Sequence, residues 1–300
     1  MTFQAVLIAG PTASGKSAAA LALARQIDGV VINADSMQVY REAPILTAQP
    51  SPADQAGAPH LLYGHVAVRD VYSVGRWRDD AVAALAQARA MGRMPIFVGG
   101  TGMYFMALTQ GLAEVPAIPA DVRADARTLL DQIGVAALHA RLAARDPVTA
   151  AKLRPTDPQR TLRAWEVLQA TGRSLADWQA APAQPLLTHV AGFVLNPQRE
   201  SLRAAIARRF EQMLGAGALE EARALAGLEA SLPAAKILGL RPLQALAAGE
   251  ITQEQALETA ITTTRQFAKR QMTWFRHRMA HHLWLETGGN IISKYAEVSV

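Results

Sequence analysis

An apolar run, Gln4-Ala5-Val6-Leu7-Ile8-Ala9, leads straight into Gly10-Pro11-Thr12-Ala13-Ser14-Gly15-Lys16-Ser17, and an Ala/Leu-rich stretch over residues 17–27 follows. The spacing G-x-x-x-x-G-K-S constrains the fold more than any other feature of the chain. It requires a strand, a tight loop and a helix in that order, and the flanking residues supply both. The glycines let the loop turn backbone N–H groups inward onto phosphate oxygens, and the helix N-terminus adds its dipole. Lys16 would bring a charge to the phosphates, and Ser17 a hydroxyl to a magnesium ion (Mg2+). The loop therefore points to a phosphorylated small molecule as ligand.

The rest of the chain extends this βα unit. Residues 29–34 read as a second strand ending at Asp35-Ser36, residues 79–91 as a helix, and 94–98 as a third strand closed by Gly99-Gly100-Thr101-Gly102. Strands alternating with helices predict an α/β fold, with a P-loop NTPase-like parallel sheet flanked by helices. Ligands of such sheets sit beyond the C-terminal strand ends. Three loops are expected to converge there: residues 10–17, 35–40 and 99–104. At Val115-Pro116-Ala117-Ile118-Pro119 the pattern breaks, and up to Ala181-Pro182-Ala183-Gln184-Pro185 only helices are expected, over roughly 121–132, 134–144, 147–153 and 158–171. Asp157-Pro158 starts the last of these as N-cap and N1. Residues 189–195 return as a strand, and helices follow to about residue 282. The expected organisation is a catalytic core, 1–114 plus 186–300, with an inserted all-helical subdomain at 115–185 and a helical C-terminal part.

Composition narrows the ligand classes. Half of the 300 residues are apolar, 18% are charged and no cysteine occurs, so a disulfide scaffold and Cys-ligated zinc are excluded. No basic n-region precedes the first apolar run, and no window nears the about 18 apolar residues of a membrane span, so a cytoplasmic protein is expected. The net charge is +5, and residues 265–278 contribute Arg265, Lys269, Arg270, Arg276 and Arg278 without one acid. Arg265, Lys269 and Arg276 share a helical stripe, while Phe267, Trp274 and Phe275 are expected to pack inward. The stretch is either a phosphate-backbone surface or an ordinary amphipathic helix. The histidines show no metal-ligand spacing.

Two further places invite chemistry. Asp35, at the end of the second strand, faces the phosphate loop across the switch point. It is a candidate general base or metal-shell ligand, or else a helix N-cap. Arg160 and Arg163 lie at i, i+3 on one helix face, suited either to RNA phosphates or simply to solvent. The strand Ile96-Phe97-Val98 ends in glycine rather than the Asp with which many P-loop NTPases hold magnesium, which argues against a motor or switch NTPase.

In chain order these segments resemble the tRNA dimethylallyltransferase (tRNA isopentenyltransferase, IPP transferase) family of bacterial type. The resemblance is carried by the phosphate loop, by Asn33-Ala34-Asp35-Ser36-Met37-Gln38-Val39-Tyr40 and by Val98-Gly99-Gly100-Thr101-Gly102-Met103-Tyr104-Phe105. It continues through Asp157-Pro158-Gln159-Arg160 with Arg163-Ala164-Trp165-Glu166-Val167, and through Thr264-Arg265-Gln266-Phe267-Ala268-Lys269-Arg270-Gln271-Met272-Thr273-Trp274-Phe275-Arg276. The resemblance implies transfer of a dimethylallyl group from its diphosphate to N6 of the adenosine at tRNA position 37, 3′ of the anticodon. The loop, Gly10 to Ser17, would then hold a diphosphate leaving group in place of ATP. Lys16, magnesium on Ser17, and Arg223 would stabilise that group. Asp35 would orient the amine and take its proton, with Thr101 beside the reacting centre. The adenosine would have to leave its stack. Ser36, Met37 and Gln38, with Arg123, Gln159, Arg160, Thr161, Leu162 and Arg163, would contact the extruded base and its neighbours, as would Lys236, Arg241, Arg265, Lys269 and Arg276. The implied partners are dimethylallyl diphosphate and the tRNA anticodon stem-loop, bound by a monomer with no obligate protein partner.

The chain departs from the family at Lys236-Ile237-Leu238-Gly239-Leu240-Arg241, where Leu240 replaces the usual aromatic. Two other enzymes share the core pattern, an adenylate isopentenyltransferase acting on free nucleotide and a small-metabolite kinase. The helical insert and the basic stretch favour a large RNA over both. A noncatalytic nucleic-acid-binding P-loop protein would not need Asp35 opposite Lys16-Ser17.

Overall fold

The computed structural model describes residues 3–299, which form two compact units, one of residues 3–109 with 186–299 and one of Gln110–Pro185. In chain order the first unit begins β1 (Ala5–Ala9), α1 (Lys16–Gln26), β2 (Gly29–Asn33), α2 (Pro44–Thr47), α3 (Pro52–Gly57) and β3 (His60–Leu61). It continues α4 (Val74–Ala90), β4 (Met94–Gly99) and α5 (Gly102–Thr109). The second unit holds α6 (Ala120–Arg145), α7 (Pro147–Ala150), α8 (Pro158–Thr171) and α9 (Leu175–Ala180). The first resumes with β5 (Val190–Leu195), α10 (Arg199–Gly215), α11 (Ala218–Ala224), α12 (Leu240–Ala247), α13 (Gln253–Arg278), β6 (Leu283–Leu285) and α14 (Ile291–Ser299).

The six strands form one parallel sheet in the order β3-β2-β4-β1-β5-β6. Every residue of β1 is fully buried, which is why its sequence is an unbroken apolar run and not an alternation. Val6, Ile8, Leu23, Val31, Ile96 and Phe193 make the core between β1, its neighbours and α1. Just past the helices expected to about residue 282, Leu283–Leu285 form a further strand, β6. It pairs with β5 at Phe193–Leu283, Val194–Trp284 and Leu195–Leu285. The C-terminal ends of β1, β2 and β4 lie side by side, so the loops leaving them meet.

The helical unit has its own core around Leu138, Leu142, Ala164, Trp165 and Leu168. The two helices expected over 121–144 follow one another directly as α6, bent at Gly134, whose φ of 73° and ψ of 166° fall outside the helical region. Among the described residues, no helix is long and apolar enough to cross a membrane.

Candidate active site at the phosphate loop

The phosphate loop is shaped by two left-handed residues, Ala13 (φ 62°) and Gly15 (φ 82°). Gly10 donates its N–H to the Gly99 carbonyl (3.3 Å), and Ser14 closes a turn onto Pro11 (3.3 Å). No side chain caps α1, and the N–H groups of Ala13, Gly15, Lys16 and Ser17 make no hydrogen bond among the described residues. The Ser14 hydroxyl is buried without a partner. A cradle of free donors at a helix N-terminus, with an orphaned hydroxyl beside it, is what an anion fills.

Thr12 is held twice. Its N–H donates to Gln271 Oε1 at 3.0 Å, and its hydroxyl accepts from the Arg209 guanidinium at 3.1 Å. Lys16 is buried, 7% exposed, and donates to the Pro11 carbonyl at 3.2 Å. Desolvation lowers its pKa to about 8. Asp35 opposes that shift, and Arg209 adds to it. Burial also lowers the Arg209 pKa, again opposed by Asp35. The buried Lys16, the half-buried Arg209 and one carboxylate therefore act on one another at the loop.

Asp35 is fixed by Asn33, the last residue of β2. The Asn33 amide donates to the Asp35 carbonyl (2.9 Å) and to the Leu62 carbonyl (3.0 Å), and its Oδ1 accepts the Asp35 N–H (2.8 Å). Asp35 Oδ1 accepts the Met37 N–H at 3.0 Å, an Asx turn; no helix starts here, so Asp35 is not a helix N-cap. Oδ2 has no partner among the described residues and remains a free acceptor. Thr101 Oγ1 accepts the Ser36 N–H (2.9 Å) and donates to Ser36 Oγ (3.2 Å), joining the loop after β4 to the loop after β2. Trp77 stacks on Tyr104 (4.0 Å between centroids) and donates to the Asn33 carbonyl (3.0 Å), walling off one side of these loops.

The structure brings together Asp35, Ser36, Thr101, Lys16 and the loop from Gly10 to Ser17, and corrects several other expectations. Arg223 is exposed on α11 and pairs with Glu220 at 3.4 Å; the arginine at the phosphate loop is Arg209 on α10. Thr161 and Leu162 are buried in the helical unit, so they offer RNA no surface. The Gln38 amide donates inward to Thr47 (3.0 Å) and Ala48 (2.7 Å), leaving only its Oε1 for a ligand. Of the three aromatics expected inward on α13, Phe275 is buried but Phe267 and Trp274 are half-buried. Arg123, Gln159, Arg160, Lys236, Arg241, Arg265, Lys269 and Arg276 are exposed, and Arg163 is half-buried.

On α13, Lys269, Arg270, Trp274 and Arg278 line an open groove of about 570 Å³. In the helical unit, Arg163 pairs with Glu166 at 3.8 Å; burial raises the Glu166 pKa against the pull of Arg163, Arg123 and Arg127. No group of three or more His, Cys, Asp or Glu among the described residues forms a metal cage. The donors present, the Ser17 hydroxyl beside a phosphate cradle, suit a magnesium ion carried largely by phosphate oxygens.

A parallel sheet whose phosphate loop faces a carboxylate places the chain among the P-loop α/β enzymes. The family model described as IPP transferase matches residues 38–278, and one described as isopentenyl transferase matches residues 3–61. A tRNA dimethylallyltransferase of Rhodopseudomonas palustris (strain BisB18) is 54% identical over 94% of this chain and 90% of its own length. The solved tRNA isopentenylpyrophosphate transferase of Bacillus halodurans is 31% identical, with a TM-score of 0.69 over 99% of this chain and 95% of that one. A eukaryotic dimethylallyltransferase, solved in the course of acting on tRNA, is 26% identical, with a TM-score of 0.78 over 97% of this chain and 77% of that one. The chain belongs to the IPP transferase family.

Proposed function

We propose that this enzyme transfers a dimethylallyl group from dimethylallyl diphosphate to N6 of adenosine 37 in tRNA, giving N6-dimethylallyladenosine and diphosphate. Family membership sets the reaction, and one observation carries its chemistry here: Asp35, whose Oδ2 is free, acts electrostatically on both Lys16 and Arg209 of the phosphate loop.

The N6 lone pair attacks C1 of the dimethylallyl group as the C1–O bond breaks, and diphosphate leaves with that electron pair. Asp35 Oδ2 accepts the N6 proton. Its other oxygen stays on Met37, so the carboxylate is aimed without being moved. Lys16, Arg209 and the free N–H groups of the loop stabilise charge on the departing diphosphate. Magnesium, held by Ser17 and the diphosphate, would supply further charge neutralisation there. Arg123, Arg127, Arg160 and Arg163 of the helical unit, and the cationic groove of α13, suit phosphates and unstacked bases of an anticodon loop.

The test combines labelled dimethylallyl diphosphate and magnesium with either an anticodon stem-loop or AMP. Label enters the RNA and not AMP; label in AMP alone would overturn the reading. Asp35→Ala is expected to lower kcat by about 10²–10⁴ while diphosphate affinity is retained. Unchanged turnover would remove Asp35 from the mechanism.

A further inference from the structure

Gln271 lies near the middle of the basic stretch of α13, yet its side chain is 6% exposed. Both ends of its amide are committed, Oε1 to the Thr12 N–H of the phosphate loop (3.0 Å) and Nε2 to the Gly100 carbonyl after β4 (2.9 Å). These bonds cross 259 and 171 residues of chain. The two loop glycines report the same closeness. A Cβ on Gly100 would strike Gln271 Nε2, and a Cβ on Gly102 would strike the Trp274 ring, one helical turn further along α13. Thr12 is thereby drawn toward α13 by its N–H, while Ala13, Gly15, Lys16 and Ser17 keep theirs for an anion.

The outer face of the same helix segment is cationic. Lys269 and Arg270 are exposed beside Gln271, and the groove at Trp274 opens next to them. One amide, that of Gln271, links the helix carrying this face to the phosphate loop. We infer that Gln271 is a positioning residue that couples RNA on α13 to diphosphate on the phosphate loop. The inference rests on the prenyltransferase reading above. Linkage makes the coupling reciprocal: RNA tightens diphosphate binding by the factor by which diphosphate tightens RNA.

The residue type fits this task. An aliphatic side chain would pack in the same space but would strand a buried N–H and a buried carbonyl. A glutamate would keep the acceptor for Thr12 and lose the donor to Gly100. The two replacements therefore cut the link to different extents.

Calorimetry with inorganic diphosphate and magnesium, in the presence and absence of an anticodon stem-loop, tests the idea on wild type, Gln271→Met and Gln271→Glu. In wild type the stem-loop is expected to tighten diphosphate by about fivefold or more. That factor falls to near one in Gln271→Met and to an intermediate value in Gln271→Glu. A merely structural glutamine would lower both affinities and leave their ratio intact. The inference is overturned, with the enzymatic reading untouched, if wild type binds both ligands but either shows no coupling or keeps its coupling in Gln271→Met. Wild type that binds neither ligand overturns the reading and the inference together.

Discussion

Lys16 is a charge held almost wholly out of water. Burial brings its pKa from 10.5 to about 8, so at pH 7 it remains protonated at a cost to the fold. The shift corresponds to about 3 kcal/mol. Between pH 8 and 10.5 the unfolded chain binds more protons at this residue than the folded one. The penalty is therefore full below pH 8 and is relieved as pH rises toward 10.5. Lys16→Met should then raise the melting temperature of the free protein at pH 7 and abolish diphosphate binding. Its thermal advantage should shrink as pH rises toward 10; an advantage independent of pH would refute the assignment. Arg209 differs in that the sequence reading passed it over for Arg223. Its contact with Thr12 spans 197 residues, beyond the reach of local spacing. A signal was nonetheless present. Ile206, Phe210 and Met213 mark the buried face of α10, and Arg209 lies on that stripe. A cation on an apolar stripe needs a buried partner, and Gln271 among Ala268, Met272 and Phe275 follows the same logic. Arg209→Ala should lower kcat by about 10²–10³. Arg223→Ala should leave it within experimental error, and equal losses would restore Arg223 to the site.

At the scale of elements, legibility followed length and burial. The strands β1, β2, β4 and β5 could be read because each is a buried apolar run of five or six residues. The two-residue β3 and three-residue β6 could not, since so few residues show no period and their pairing is set by the neighbouring strand. The α2 turn was equally invisible. It is held from α11, where the Glu221 carboxylate accepts the N–H groups of Ile45 (2.9 Å) and Leu46 (2.8 Å). The expected break between helices at residue 133 falls at Gly134, but the helices continue with no connecting loop. Only glycine adopts that backbone without strain, and a Cβ there would meet nothing within 4 Å. The cost of Gly134→Ala is then a backbone cost, about 1–3 kcal/mol. Calorimetry of the variant should show the helical unit destabilised, while diphosphate affinity, a property of the other unit, stays constant. A variant as stable as wild type would mean that the bend is not needed.

For the whole molecule, charge is the property that connects sequence to partner. The net +5 is modest, but it is concentrated on residues a nucleic acid can use. In the helical unit Arg163 pairs with the half-buried Glu166 at 3.8 Å, and the exposed Arg123 and Arg127 also act on that carboxylate. In the other unit Lys269, Arg270 and Arg278 line the groove at Trp274. Cations that hold phosphates release counterions, so RNA affinity should fall with salt. The slope of log K against log[salt] is about −0.7 per phosphate contacted on a single strand. Each of Arg127→Ala and Arg270→Ala should flatten that slope by about 0.7, and the double variant by about 1.4, if each residue holds one phosphate. Fluorescence anisotropy of a labelled anticodon stem-loop across a potassium chloride series measures it directly. Inorganic diphosphate affinity serves as the control for Arg127→Ala and should not move. If either variant weakens binding at an unchanged slope, that residue reads a base or supports the fold, and the surface that meets the RNA backbone lies elsewhere on the chain.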